Sequence, residues 1–147
     1  MNFDYGIALK VIGLLDEEDN LLHYEAQFSN GNTATTIEFY AYEDEFKPFS
    51  EQLVDFPKTV ESRATFQTSD DEEKYTEYLK LEVFCYEPNG TSAIRVHARK
   101  NSTTAPYYHH SEFFLQGLLP AALSLLGSSL SSWNPLKEPE FVWPSRD

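Results

Sequence analysis

Four histidines, one cysteine and 24 acidic residues are the side chains of this 147-residue chain with the most obvious capacity for chemistry. His109 and His110 are adjacent, and neighbours on an extended strand project to opposite faces, so the two do not share one ion. His97 falls on the outward side of its strand, and His23 alternates with Leu22 and Tyr24. No HExxH or paired CxxC spacing accompanies them, so no metal site is expected. The acidic side chains gather in three runs: Asp16, Glu17, Glu18 and Asp19; Glu43, Asp44 and Glu45; Asp70, Asp71, Glu72 and Glu73. A calcium loop needs alternating ligands, a central glycine and a distant glutamate, and none of the runs has that layout. They read as solvated loop charge. Cys85 lies on the apolar side of a strand, where a thiol behaves as a small inert hydrophobe. No GxSxG, P-loop or GxGxxG is present, so no nucleotide cofactor is expected through the usual loops. One basic cluster remains. Arg95, His97 and Arg99 alternate along one strand face, where a neighbouring Tyr or Glu could complete an anion-binding cleft. That cleft is the basis for an alternative reading as a small enzyme.

The charge itself is informative. The chain carries a net −13, and residues 1–90 hold 20 acidic against 6 basic side chains, a net of −14. Residues 91–147 hold 4 acidic and 5 basic, a net of +1. Such a surface repels nucleic acid and anionic membranes and attracts a basic protein partner. A lone cysteine excludes an internal disulfide framework. The first ten residues do not resemble a signal peptide, and the most apolar run, Phe113 to Leu126, is too short to span a bilayer. A cytoplasmic protein is expected.

The elements that position these side chains follow from periodicity. Tyr5, Ile7, Leu9 and Val11 alternate, as do Leu22, Tyr24, Ala26 and Phe28, and then Ile37, Phe39 and Ala41. A period of two is the strand signal, and polar turns at 16–20 and 30–32 make these three consecutive antiparallel strands. Phe49, Leu53 and Phe56 at i, i+4 and i+7 predict a helix from Pro48 to Phe56, stopped by Pro57. Three more strands follow over 62–68, 75–86 and 93–99, with Leu79, Leu81, Val83 and Cys85 facing inward on the middle one. A buried helix is predicted from a Ser111 N-cap to Gly127, kinked at Pro120, with Leu118 and Leu119 in the core. The order is βββαβββα, an α+β domain over residues 1–132 with a mainly antiparallel sheet of about six strands. Residues 133–147 form a tail rich in proline and aromatics. Trp133, Phe141 and Trp143 predict that it packs back across the sheet or onto a second copy in a homodimer.

Aromatics make up 15% of the chain. Tyr40, Tyr42, Tyr78, Phe84 and Tyr86 fall opposite the predicted core, where large rings beside charge would form a binding surface. The early hairpin, the FKPFSEQLVDFP helix, the YLKLEVFCYEPNGTSAIRVHARK hairpin and the FFLQGLLPAALSLLG segment together resemble a bacterial family. These are the immunity proteins paired with contact toxins of the wall-associated-protein type. The likeness is one of pattern over about residues 5–130, and beyond Trp133 the chain departs from it. The resemblance implies a small cytosolic inhibitor that binds a toxin domain, commonly a nuclease with a positive cleft, and it implies no fixed functional residues. The expected function is therefore non-catalytic protein binding, with the three acidic runs steering and Tyr40, Tyr42, Tyr78 and Tyr86 anchoring a basic partner. The competing classes are the enzyme centred on His97 and a structural or adaptor domain.

Overall fold

The computed structural model describes residues 5–69 and 77–144. It is an α+β fold with eight strands in two antiparallel four-stranded sheets, together with two helices. The strands are β1 (Gly6–Asp16), β2 (Leu21–Ser29), β3 (Ala34–Tyr42), β4 (Arg63–Gln67), β5 (Tyr78–Cys85), β6 (Ser92–Asn101), β7 (Tyr108–Leu118) and β8 (Glu140–Trp143). The helices are α1 (Lys47–Leu53) and α2 (Pro120–Ser132). The first sheet runs β3-β2-β1-β8 and the second β4-β5-β6-β7.

Alternation decides which way each strand faces. Ile7, Leu9, Leu22, Tyr24, Ala26, Phe28, Ile37 and Phe39 point inward from the first sheet. Leu79, Leu81, Val83, Ile94, Val96, Phe113 and Leu115 do so from the second. Both inner faces share one hydrophobic cluster with Phe49 and Leu53 of α1 and Leu123, Leu126 and Leu130 of α2. The inward side of β5 agrees with the sequence pattern, and Cys85 is buried there. Among the described residues no helix is long and apolar enough to cross a membrane.

Two elements differ from the sequence reading. The helix predicted from Ser111 is strand β7 up to Leu118, and Ser111 caps nothing. Phe113 and Leu115 are buried while Glu112, Phe114 and Gln116 are exposed, a period of two. Phe113, Phe114, Leu115, Leu118 and Leu119 satisfy both the strand and the helix period, and the edge of β6 resolves the ambiguity by pairing with the segment. Helix α2 starts only at Pro120, whose ring suits the first helical turn, so it does not kink the helix. Leu118 is buried, but Leu119 lies between strand and helix and is 57% exposed, against its predicted place in the core. Helix α1 ends at Leu53, short of Phe56, because Val54 turns extended with ψ 126° and Asp55 after it is left-handed with φ 64°. Phe56 is buried all the same.

The tail adds a strand. Within it, β8 pairs antiparallel with β1, placing Trp143 opposite Ile7 and Phe141 opposite Leu9. Gly6, at φ 120°, makes this possible, since a Cβ there would stand 2.0 Å from the Trp143 carbonyl oxygen. Gly127 is likewise not a helix stop. It lies inside α2, where a Cβ would meet the Ser50 carbonyl oxygen at 2.7 Å and the Leu53 Cβ at 2.9 Å. The glycine lets the two helices touch.

Two outcomes follow. Gly127→Ala should destabilise the protein by about 1–3 kcal/mol in urea unfolding through overpacking, although alanine favours an isolated helix by about 1 kcal/mol. A stabilised variant would refute the close helix contact. Trp143→Ala should cost about 3–5 kcal/mol, and a cost near zero would show that β8 does not hold the first sheet.

Candidate functional site: an acidic end of the first sheet

The hairpin geometry of the first sheet places two of the three acidic runs side by side. Leu21 pairs with Tyr42, so the β1–β2 turn and the start of the β3–α1 loop emerge at the same end. The Asn20 amide donates to Glu43 Oε1 at 3.4 Å and joins them. The turn is built by Asp16, whose Oδ1 accepts the backbone N–H groups of Glu18 at 3.0 Å and Asp19 at 3.4 Å. Local bonding of this kind is what Asp contributes to turns. Asp16, Glu17, Glu18, Asp19, Asp44 and Glu45 are all exposed. Their carboxylates therefore project a field into solvent in place of pairing inside the fold.

The third side of this end comes from the segment after α2. A groove of about 560 Å³ is lined by Glu43, Asp44 and Lys47 on one wall and by the stretch from Ser131 to Leu136 on the other. Trp133 is fixed there by its indole N–H, which donates to the Glu138 carbonyl at 2.8 Å, and by ring contact with Phe141 at 5.5 Å.

Beneath the loops lies Tyr24. Its ring is fully buried and its hydroxyl donates to the Tyr42 carbonyl at 3.3 Å. Burial raises its phenol well above the ordinary tyrosine range, and the charges of Glu43, Glu45 and Asp44 raise it further. The acidic loop thus imposes its potential on the protein interior as well as on solvent.

Tyr40 and Tyr42 are exposed on the outer face of β3, as their alternation requires. Tyr40 stacks on His23 with ring centroids 4.5 Å apart, and His23 Nε2 lies 2.9 Å from Glu38 Oε1. A cleft of about 460 Å³ beside them is lined by His23, Glu38, Tyr40, Thr68, Ser69 and Glu77, among others. The third acidic run, Asp70 to Glu73, lies outside the described residues.

The other two proposed anchors are not part of this end. Tyr78, expected at the surface, is only 6% exposed. The outer face of the second sheet is covered by its own long side chains. The Tyr78 hydroxyl donates to Gln67 Oε1 at 3.1 Å, and its ring lies against His97 and under the Arg99 guanidinium. Tyr86 is exposed, but eight residues from Tyr78 along an extended chain is roughly 26 Å. Its hydroxyl accepts the Gly117 N–H at 3.0 Å, and its ring contacts Phe84.

No family model, curated protein or solved structure matches this chain.

The basic cluster of the second sheet is also resolved. The Arg95 guanidinium is held by Glu112 and by Glu82, and the Glu112 hydrogen bond raises its pKa above the ordinary arginine value. Arg99 is buried, with its guanidinium over the rings of Tyr78 and Tyr108. His97 stacks on His110, Nε2 to Nδ1 at 3.4 Å. Both arginine charges are thus engaged with protein groups on this face. Among the described residues no group of three or more His, Cys, Asp or Glu is placed to hold a metal ion.

Periodicity passes over one feature of the acidic end. Ile12, Leu14 and Leu15 are exposed at the tip of β1. The signal available in the sequence is the loss of alternation in Val11-Ile12-Gly13-Leu14-Leu15 immediately before the acidic run.

Tyr24 gives a measurable consequence. Its folded pKa is raised above the unfolded value near 10, so the folded state keeps a proton that the unfolded chain loses. Its contribution is therefore fully present below pH 10 and is lost as pH rises toward the folded pKa. Unfolding free energy should fall above pH 10 by up to about 1.4 kcal/mol per pH unit from this residue. In Tyr24→Phe that part of the slope should vanish, and neutral-pH stability should drop by about 0.5–1.5 kcal/mol with the lost hydrogen bond. An unchanged alkaline slope would contradict the buried phenol.

Proposed function

We propose that this chain is a non-catalytic protein-binding module that recognises a basic protein domain through the acidic end of its first sheet. The observation that supports the reading best is the convergence of Asp16–Asp19 and Glu43–Glu45 beside the exposed rings of Tyr40 and Tyr42. Clustered, solvent-facing carboxylates raise the encounter rate with a positive surface, while rings that lose water on contact slow its departure. The resemblance to immunity proteins of contact toxins suggests the biological form of this reading. The partner is then a toxin domain with a positive cleft, and the chain acts in the cytoplasm by covering that cleft. The condition of the second sheet supports the absence of catalysis, since Arg95 and Arg99 are engaged by neighbouring carboxylates and rings.

The test is capture of the partner from the native cell, followed by kinetics. A basic domain should be recovered. Its association should slow about 10-fold with Asp16→Asn, Glu17→Gln, Glu18→Gln and Asp19→Asn combined, and lose most of its salt dependence. Tyr40→Ala should instead speed dissociation, by about 2 kcal/mol if the ring is central, roughly 30-fold. Recovery of no protein, together with turnover of a small anionic substrate that is lost in His97→Ala, would overturn the reading in favour of the enzyme.

A further inference from the structure

Three large aliphatic side chains stand in water within four residues of one another at the tip of β1. Ile12 is 41% exposed, Leu14 47% and Leu15 58%. A single exposed aliphatic is ordinary on any protein surface. Three together, on a hairpin whose turn is fixed by Asp16 and which leads straight into four carboxylates, are not. The backbone explains two of them, since Leu14 keeps its partner Leu22 on β2. The β1–β2 register slips between Val11 and Gly13 and again between Leu14 and Asp16, leaving Ile12 and Leu15 with no partner residue on β2. Strand β8 covers β1 only as far as Lys10, and the bond from the Val11 N–H to the Pro139 carbonyl at 2.7 Å ends the contact. Beyond it, among the described residues, no strand flanks β1 on that side.

We propose that Ile12, Leu14 and Leu15 are a further desolvated anchor for the basic partner beside Tyr40 and Tyr42, seated against an apolar surface rimmed by lysine or arginine that pairs with Asp16, Glu17, Glu18 and Asp19. The inference rests on the protein-binding reading and adds a second place where water is expelled. Charge complementarity selects the occupant. A second copy would bring the same four carboxylates against their own kind on a chain of net charge −13, and an anionic membrane is repelled for the same reason. The two bulges also disfavour simple strand addition along this edge, so contact falls to the side chains. The fixed turn presents the aliphatics with little ordering left to do on binding.

The test uses an 18-residue leucine–lysine peptide that forms a helix with one apolar and one basic face, titrated against the full chain at low salt. Binding should shift the amide resonances of Ile12 to Asp19. The combined Ile12→Ser, Leu14→Ser and Leu15→Ser variant should bind at least 10-fold more weakly, with its unfolding midpoint and the salt slope of binding unchanged. The four-carboxylate variant should lose the salt slope. Weakening by the carboxylate variant alone would sink the aliphatic anchor and leave the basic-partner reading standing. Weakening by neither would remove both. A dimer of the unaltered chain in sedimentation, dissolved by the serine variant, would assign the tip to a second copy and also overturn the proposal.

Discussion

The acidic end depends on the burial of one tyrosine. Tyr24 contacts Phe39 at 5.5 Å, Phe46 at 5.4 Å and Trp133 at 6.1 Å, and its hydroxyl holds the Tyr42 carbonyl. Those partners belong to β3, to the loop entering α1 and to the segment leaving α2. A single ring therefore ties together three stretches of chain, of which the loop entering α1 carries Glu43, Asp44 and Glu45. Like-charged loops repel, and the β2–β3 ladder, the Asn20–Glu43 hydrogen bond and the packing beneath them keep them adjacent. The raised phenol is the cost of that arrangement read from the inside, because an ionised Tyr24 would face Glu43, Glu45 and Asp44 as well as the loss of water.

The two outer sheet faces use charge in opposite ways. On the second sheet, Arg95 bridges Glu82 and Glu112 across three strands, and Arg99 is covered by aromatic rings. Charge on that face is engaged within the sheet. On the first sheet Glu38 pairs with His23 inside the ladder, but the runs beginning at Asp16 and Glu43 gather at one end, at and beyond the strand termini. Cross-strand pairing requires residues within a ladder, whereas turn residues have no such partner. The topology thus sorts charge into a satisfied ladder and an unsatisfied tip, and only the second can act at a distance.

Much of the strand content was readable from alternation. Leu22, Tyr24, Ala26 and Phe28 are buried as that pattern requires, as are Leu79, Leu81 and Val83. What failed was the stretch from Ser111 to Leu119, where Phe113, Phe114, Leu115, Leu118 and Leu119 fit both periods; the free edge of β6 supplied the missing information. Gly127 was misread for a related reason, since a helix stop and a helix contact both call for glycine, and only the position of Ser50 separates them. At the candidate site, Tyr40 and Tyr42 were legible because β3 is regular and one-sided. Tyr78 was not, because its cover comes from Gln67, His97 and Arg99 on neighbouring strands. The exposed aliphatics were hidden by the opposite problem, because register slips in β1 break the alternation on which the reading depends.

The pairing of β8 with β1 sets a schedule for folding. Ile7 and Trp143 are partners although more than 130 residues separate them, so the first sheet joins segments synthesised far apart in time. Until Phe141 and Trp143 leave the ribosome, β1 keeps an open hydrogen-bonding edge and Ile7 and Leu9 lack their cover. An unfinished strand edge is a template for wrong pairings. During that interval the protection falls to the charge of the first 90 residues, already synthesised and strongly negative, which keeps nascent copies apart. The same carboxylates that would later greet a partner would first serve as a chaperone encoded in the chain.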